Sequence, residues 1–178
     1  YTSVEFKTEQ IKANGLVYFN QNYGCSFIGS SETLIQGHIL NGFQIKEPLD
    51  IDKMGNSLIN VYEEPIPGHR YILSADTSKN GVDPTAFQIF DITDLHFKQV
   101  ASAQLFINHM ELPELFVDYA GRFNQALILI ENNEGSGQSV ADHIKWTYEY
   151  ENLYYDVDKN GKRLKYPGCR TTKLTRLL

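Results

Sequence analysis

YILSADTSKNGVDPTAFQIFDIT (71–93) decides the fold. YILSAD (71–76) is a short apolar run that closes on an acid. TSKNGVDPT (77–85) is turn chemistry, with Asn80-Gly81 and Asp83-Pro84 supplying the residues tight turns need. TAFQIFDIT (85–93) alternates apolar and polar positions, as a half-buried strand does. FKQVASAQLFI (97–107) follows a turn at 94–96 and reads as a third strand. Connections this short join antiparallel neighbours, so the three strands form a meander.

Downstream the period changes. In ELPELFVDYAGRFN (111–124), Leu112, Leu115, Phe116, Tyr119 and Phe123 recur at helical spacing, and Pro113 sits where a first turn tolerates it. ALILIE (126–131) is a continuous apolar run, the mark of a strand buried on both faces. Strand, helix, strand implies a parallel, right-handed crossover. SGQSVADHIKWTYE (136–149) is a second helix, with Val140, Ile144 and Tyr148 as its stripe and Ser136 or Ser139 placed to cap it. LYYDV (153–157) reads as a fifth strand. DKNGK (158–162) contains Asn-Gly, a strong hairpin signal, with RLKY returning. TTKLTRLL (171–178) opens a further helix. The class is α/β: a mixed sheet with helices on both faces.

Upstream, residues 1–45 differ in texture from the rest, and FIGSSETLI (27–35) stands out in them as an apolar, small-residue stretch. EPLDIDKMGNS (47–57) is polar, with Pro48 and Gly55, and Pro65, Pro67 and Gly68 mark another break, so 46–68 reads as a linker and the compact core starts at His69. A chain of 178 residues is one domain, or one domain plus an appendage. No apolar run approaches the ~20 residues of a membrane-spanning helix. The start, YTSVEFKTEQ, lacks both the pattern of a signal peptide and an initiator Met, as expected of a piece of a longer protein. Cys25 and Cys169 are too few for a disulfide framework and read as reduced, intracellular thiols.

Charge is unevenly spread. Lys159, Lys162, Arg163, Lys165, Arg170, Lys173 and Arg176 lie in a C-terminal segment without an acid; removing that +7 from the net −6 leaves −13 on residues 1–158. A basic tail on an acidic body is a candidate for polyanion contact, or else a solvated hairpin and helix face.

Two acids stand out by position. Asp76 ends the first strand and Glu131 the fourth. If those strands are parallel neighbours, both carboxylates leave the same end of the sheet, where sites form in α/β folds. Adjacent strands lie ~4.8 Å apart, so the pair is placed to share a divalent cation or to act as an acid–base dyad; otherwise each acid simply ends its strand in solvent. Asp83 follows a Gly-containing loop and is either a further ligand or turn chemistry. ENNEGSGQSV (131–140) opens a helix with Gly135 and Gly137, a weak phosphate signal without the Lys of a phosphate-binding loop. His38, His69, His96, His109 and His143 show no metal-pair spacing, and no covalent-nucleophile motif occurs.

Together these residues resemble a known family. Three antiparallel strands, a first-strand Asp and a fourth-strand Glu are the pattern of ribonuclease-H-like nucleases. More specifically, YILSADTSKNGVDPTAFQIFDIT with ALILIENNEGSGQSV resembles the nuclease domain of the large terminase, the DNA-packaging motor of tailed phages. FIGSSETLI resembles the end of that motor's ATPase domain. The resemblance spans about Phe19 to Cys169 and implies 1–45 as the tail of the ATPase domain, 46–68 as linker and 69–178 as a nuclease domain truncated at its C-terminus. It implies metal-dependent cleavage of double-stranded DNA, with Asp76, Glu131 and Asp83 as ligands of Mg²⁺ or Mn²⁺ in a two-metal site. It also implies Lys159, Lys162, Arg163 and Lys165 on the DNA backbone. The parent's partners would be the portal protein and the small terminase subunit, in the host cytoplasm and with no membrane. The family's third acid lies beyond the stretch like YPGCRTTKLTRLL, so this chain is expected to hold two of three and to be weak or inactive alone.

Two other readings stay open. One is a catalytically inert module docking on DNA or the portal. The other is an ATP-binding domain of the actin or sugar-kinase type, against which stands Asp76-Thr77-Ser78 in place of an Asp-x-Gly phosphate loop.

Overall fold

A computed structural model describes residues 4–16, 18, 19, 39, 42, 45–54, 56–79, 83–132 and 136–170. FIGSSETLI, Cys25, His38, Gly135 and TTKLTRLL lie outside the described residues. The chain divides into two compact units, 1–46 and 47–178. The first contains α1 (Val4–Asn14), with Glu5 in its first turn and Lys12 in its last, signs that suit the helix dipole. Within this unit Phe19 is buried and the Lys7 ammonium stands 5.7 Å from its ring centroid.

The second unit is built on six strands: β1 (Asp50–Met54), β2 (Ser57–Val61), β3 (Tyr71–Asp76), β4 (Thr85–Asp91), β5 (Lys98–Leu105) and β6 (Leu127–Glu131). Two helices accompany them, α2 (Leu112–Arg122) and α3 (Ser136–Trp146). The sheet order is β1-β2-β5-β4-β3-β6. The β3–β4–β5 meander is antiparallel, and β6 joins β3 in parallel after the α2 crossover. This is the ribonuclease-H-like mixed sheet that the sequence leads one to expect.

Alternation explains which face is packed. Leu73 and Ala75 of β3, Phe87 and Ile89 of β4, and Ile128 and Ile130 of β6 are buried in one core with Phe116 and Ala120 of α2 and Val140 and Ile144 of α3. Phe87 meets Phe116 edge-on at 5.6 Å, and Tyr71 meets Phe123 at 5.4 Å. Burying each such side chain contributes about 1.5–3 kcal/mol. The sequence reading puts helices on both faces; among the described residues α2 and α3 pack against each other on this one. The opposite face carries Ile72, Ser74, Phe90, Leu127 and Leu129, all half-buried.

Two other segments differ from their reading. Residues 50–61 are not linker: β1 and β2 form a hairpin that extends the sheet beyond β5. Ser57, Ile59 and Val61 alternate inward, but a buried Ser at the first of these positions hides the pattern. The Ser57 hydroxyl is occupied, accepting the Phe106 amide at 2.8 Å. β1 is fastened to α2 through Asp52, which accepts from the Tyr119 hydroxyl and from Arg122. LYYDV, in turn, is not a full strand. It makes single bridges, Leu153 to Ile128 and Tyr155 to Gly168, because the chain leaves the sheet edge there and returns at 168–169.

Candidate active site

β3 and β6 run parallel with Ile72 opposite Leu127, and the register ends with Asp76 opposite Glu131. Both acids therefore sit at the carboxyl end of neighbouring parallel strands, about one strand spacing (~4.8 Å) apart at the backbone. Strand alternation settles their direction. Ala75 and Ile130 face the core, so Asp76 and Glu131 project from the other face, beside half-buried Ser74 and Leu129. Asp76 is exposed and Glu131 half-buried.

The end of β6 is held on both sides. Ser136, the buried first residue of α3, donates to the Thr77 carbonyl at 3.2 Å and pairs with the Thr77 hydroxyl at 3.4 Å. It thus joins the helix start to the residue after Asp76, a different task from the capping read in the sequence. Gly137 touches backbone: a Cβ there would stand 2.0 Å from the Glu131 carbonyl oxygen. That close approach explains the glycine without a phosphate. On the far side, Cys169 pairs with Glu131, donating its amide to Ile130 O and accepting from Asn132 N, each at 2.9 Å. Gly168, at φ +104°, would bring a Cβ within 2.8 Å of Ile130 O. Burial, then the charges of Glu131 and Asp156, push the Cys169 thiol up from its ordinary value. It is a free, half-buried thiol.

Sequence reasoning missed Asn132. Its amide nitrogen donates to Gln138 and to the Pro167 carbonyl, each at 3.2 Å, while its Oδ1 is buried with no partner among the described residues. It lines a cleft of 290 Å³ with Gln138, Asp156, Lys165 and Arg170. Only its position after Glu131 signals it in the sequence. Asp83 stands exposed at the same end of the sheet, just before β4, whose Ala86 is the partner of Asp76. Among the described residues no group of three or more His, Cys, Asp or Glu is placed to hold a metal ion.

The expected hairpin is formed. Val157 pairs antiparallel with Arg163, and the Asp158 carboxylate accepts from the Asn160 and Lys162 amides at 2.8 and 2.9 Å. Lys159, Lys162, Arg163 and Lys165 are exposed, and none is in an ion pair among the described residues. The excursion leaves and rejoins the sheet beside β6, on the Glu131 side. His69 and His109 have structural partners: His69 Nδ1 donates to Asp91 at 2.6 Å, and His109 Nδ1 to the Lys79 carbonyl at 2.8 Å.

Fold and site together define a ribonuclease-H-like α/β domain with an acid pair at the carboxyl end of its parallel strands. No family model matches the chain. Among solved structures it is similar to the large terminase nuclease from thermophilic phage G20c with bound zinc, at 16% identity over 58% of this chain and 57% of that one, with a TM-score of 0.44. The same nuclease with bound magnesium matches at 14% identity over 74% of this chain and 88% of that one, TM-score 0.43. The large terminase nuclease domain of Thermus phage P74-26 matches at 14% identity over 66% and 79%, TM-score 0.37. The chain spans little more than half the length of the zinc-bound relative. No helix among the described residues is long and apolar enough to cross a membrane.

Proposed function

We propose that this chain carries the catalytic core of a metal-dependent endonuclease acting on double-stranded DNA, the cutting domain of a phage packaging motor. The observation that carries the reading is the register of Asp76 opposite Glu131 on parallel strands, both acids on the same face of the sheet. Two carboxylates side by side repel unless a cation or a proton relieves them. Their hard oxygen donors suit Mg²⁺ or Mn²⁺ over softer metals. When bound, a pair of such cations supplies an activated water and charge stabilisation for in-line phosphodiester hydrolysis.

The chain's own residues do the rest. Asp76 and Glu131 hold the cations at the sheet end, and Asp83 serves as an accessory acid. Lys159, Lys162, Arg163 and Lys165 bind backbone phosphates and orient the duplex toward the acid pair. The cut is made on concatemeric DNA during genome packaging, in the host cytoplasm, with the portal protein and small terminase subunit as partners.

The test is supercoiled plasmid with Mn²⁺ and the longer chain that supplies the third acid. Nicking that is lost in Asp76→Asn and in Glu131→Gln supports the reading. No nicking by the unsubstituted protein, or an unchanged rate in both variants, overturns it.

A further inference from the structure

At the far end of α3, a helix ~16 Å long at ~1.5 Å per residue, the surface changes character. Trp146, the chain's single tryptophan, ends α3 and is 71% exposed. The Lys145 ammonium lies 4.3 Å from its ring centroid and 5.4 Å from that of Tyr155. The Arg163 guanidinium lies 3.5 Å from the Tyr155 centroid, and Lys165 lies 5.2 Å from that of Tyr166. Cations and aromatic rings thus alternate along one stretch of surface, 145–166. A cleft of 340 Å³ lies between Trp146, Tyr155, Glu149 and Glu151, within the size range of small-ligand sites.

We propose that Trp146, with Lys145 beside it and the half-buried Tyr155–Arg163 stack at the cleft wall, forms a platform for an unpaired base of single-stranded DNA. The choice of ligand rests on the nucleic-acid reading above. Three observations select this occupant. The exposed face of Trp146 gains little from a duplex, whose bases already stack on one another, but every unpaired base offers a free π-face. The cations fit the phosphates on either side of that base. Glu149 and Glu151 turn phosphates away from the cleft itself and accept hydrogen bonds from an exocyclic amino group, as on cytosine. A protein partner with an acidic surface would meet those two carboxylates as repulsion.

Trp146 reports on its own site. Its emission is followed while the 178-residue chain is titrated with oligodeoxycytidine, with an abasic strand of equal length, and with a blunt duplex. Quenching by the base-bearing single strand, well before either control, is the expected result. Trp146→Ala should weaken binding of a labelled strand about tenfold, and Trp146→Phe should restore most of it. The substituted side chain is exposed, so folding is expected to survive, and a circular dichroism melt verifies that. Equal quenching by the abasic strand, quenching by the duplex alone, or no quenching overturns the platform. The nuclease reading fails separately. Asp76→Asn leaves quenching unchanged while removing cleavage, so quenching without any cleavage sinks only the active-site assignment, and cleavage without quenching sinks only the platform.

Discussion

Gly137 shows how a single residue sets the site. An alanine in a helix interior is favoured over glycine by about 1 kcal/mol. Here its Cβ would meet the Glu131 carbonyl oxygen at 2.0 Å and the Glu131 carbonyl carbon at 2.9 Å, and both are backbone. No rotamer relieves that overlap, so α3 must shift away from β6, at a cost of about 1–3 kcal/mol. Gly137→Ala should lower the melting temperature by several degrees, on a scale of about 2–4 °C per kcal/mol for this length. A neutral or stabilising result in a urea melt would show that the helix does not rest on the strand end. Asp91 makes a different residue-level case. Burial raises its carboxyl, but hydrogen bonds from His69 and from Thr93 outweigh it and hold the group below its ordinary 3.8. A depressed acid adds stability above the unfolded value and loses it as pH falls through the folded one. The protein should therefore lose stability below about pH 4, and Asp91→Asn should flatten that part of the curve. Chemical denaturation from pH 6 down to pH 3 checks both, and a variant with the parental slope removes Asp91 from the account.

Among the elements, the basic hairpin makes the clearest prediction. Its cations are exposed and outside ion pairs among the described residues. Replacing Lys159, Lys162, Arg163 and Lys165 by Ala should reduce the slope of log K against log salt for duplex DNA by up to roughly 0.9 per lost phosphate contact. An unchanged slope would make the hairpin only a solvated turn. The hairpin was legible because Asn-Gly between two short runs is local chemistry. The meander and the crossover were legible for the same reason, since hydrophobic period and turn residues act within a few positions. The β1–β2 hairpin was not. Its edge strand DIDKM is largely exposed and shows no buried face, and its stability comes from pairing with β2 and from α2, distant in sequence. LYYDV failed in the opposite direction: its apolar residues pack, with Leu153 buried, but the chain turns out of the sheet at Tyr155. α3 ends at Trp146 with Glu149 at φ +50°, and no glycine marks that stop in the sequence.

At the scale of the molecule, folding brings together two acids 55 residues apart in the chain. The sequence placed each at the end of a strand, but only the parallel pairing of β3 with β6 puts them in register. Cys169 could not be read as part of that neighbourhood, because it reaches it through the returning edge at 168–169, and Asn132 was signalled only by its place after Glu131. In the reading given above, the sheet holds two like charges together for a cation, and Asp76→Asn tests this through stability as well as cleavage. Without metal, the variant should still fold, since Asp76 is exposed at the end of its strand. With Mn²⁺ at about a hundred times its dissociation constant, the parental chain gains about 2.7 kcal/mol, or roughly 5–10 °C. The variant should lose that gain. Melting with and without Mn²⁺ therefore separates three cases. A variant that keeps the Mn²⁺ shift removes Asp76 from the metal site. One that no longer folds shows Asp76 to be a structural acid at the end of β3. One that folds and ignores Mn²⁺ has lost a ligand.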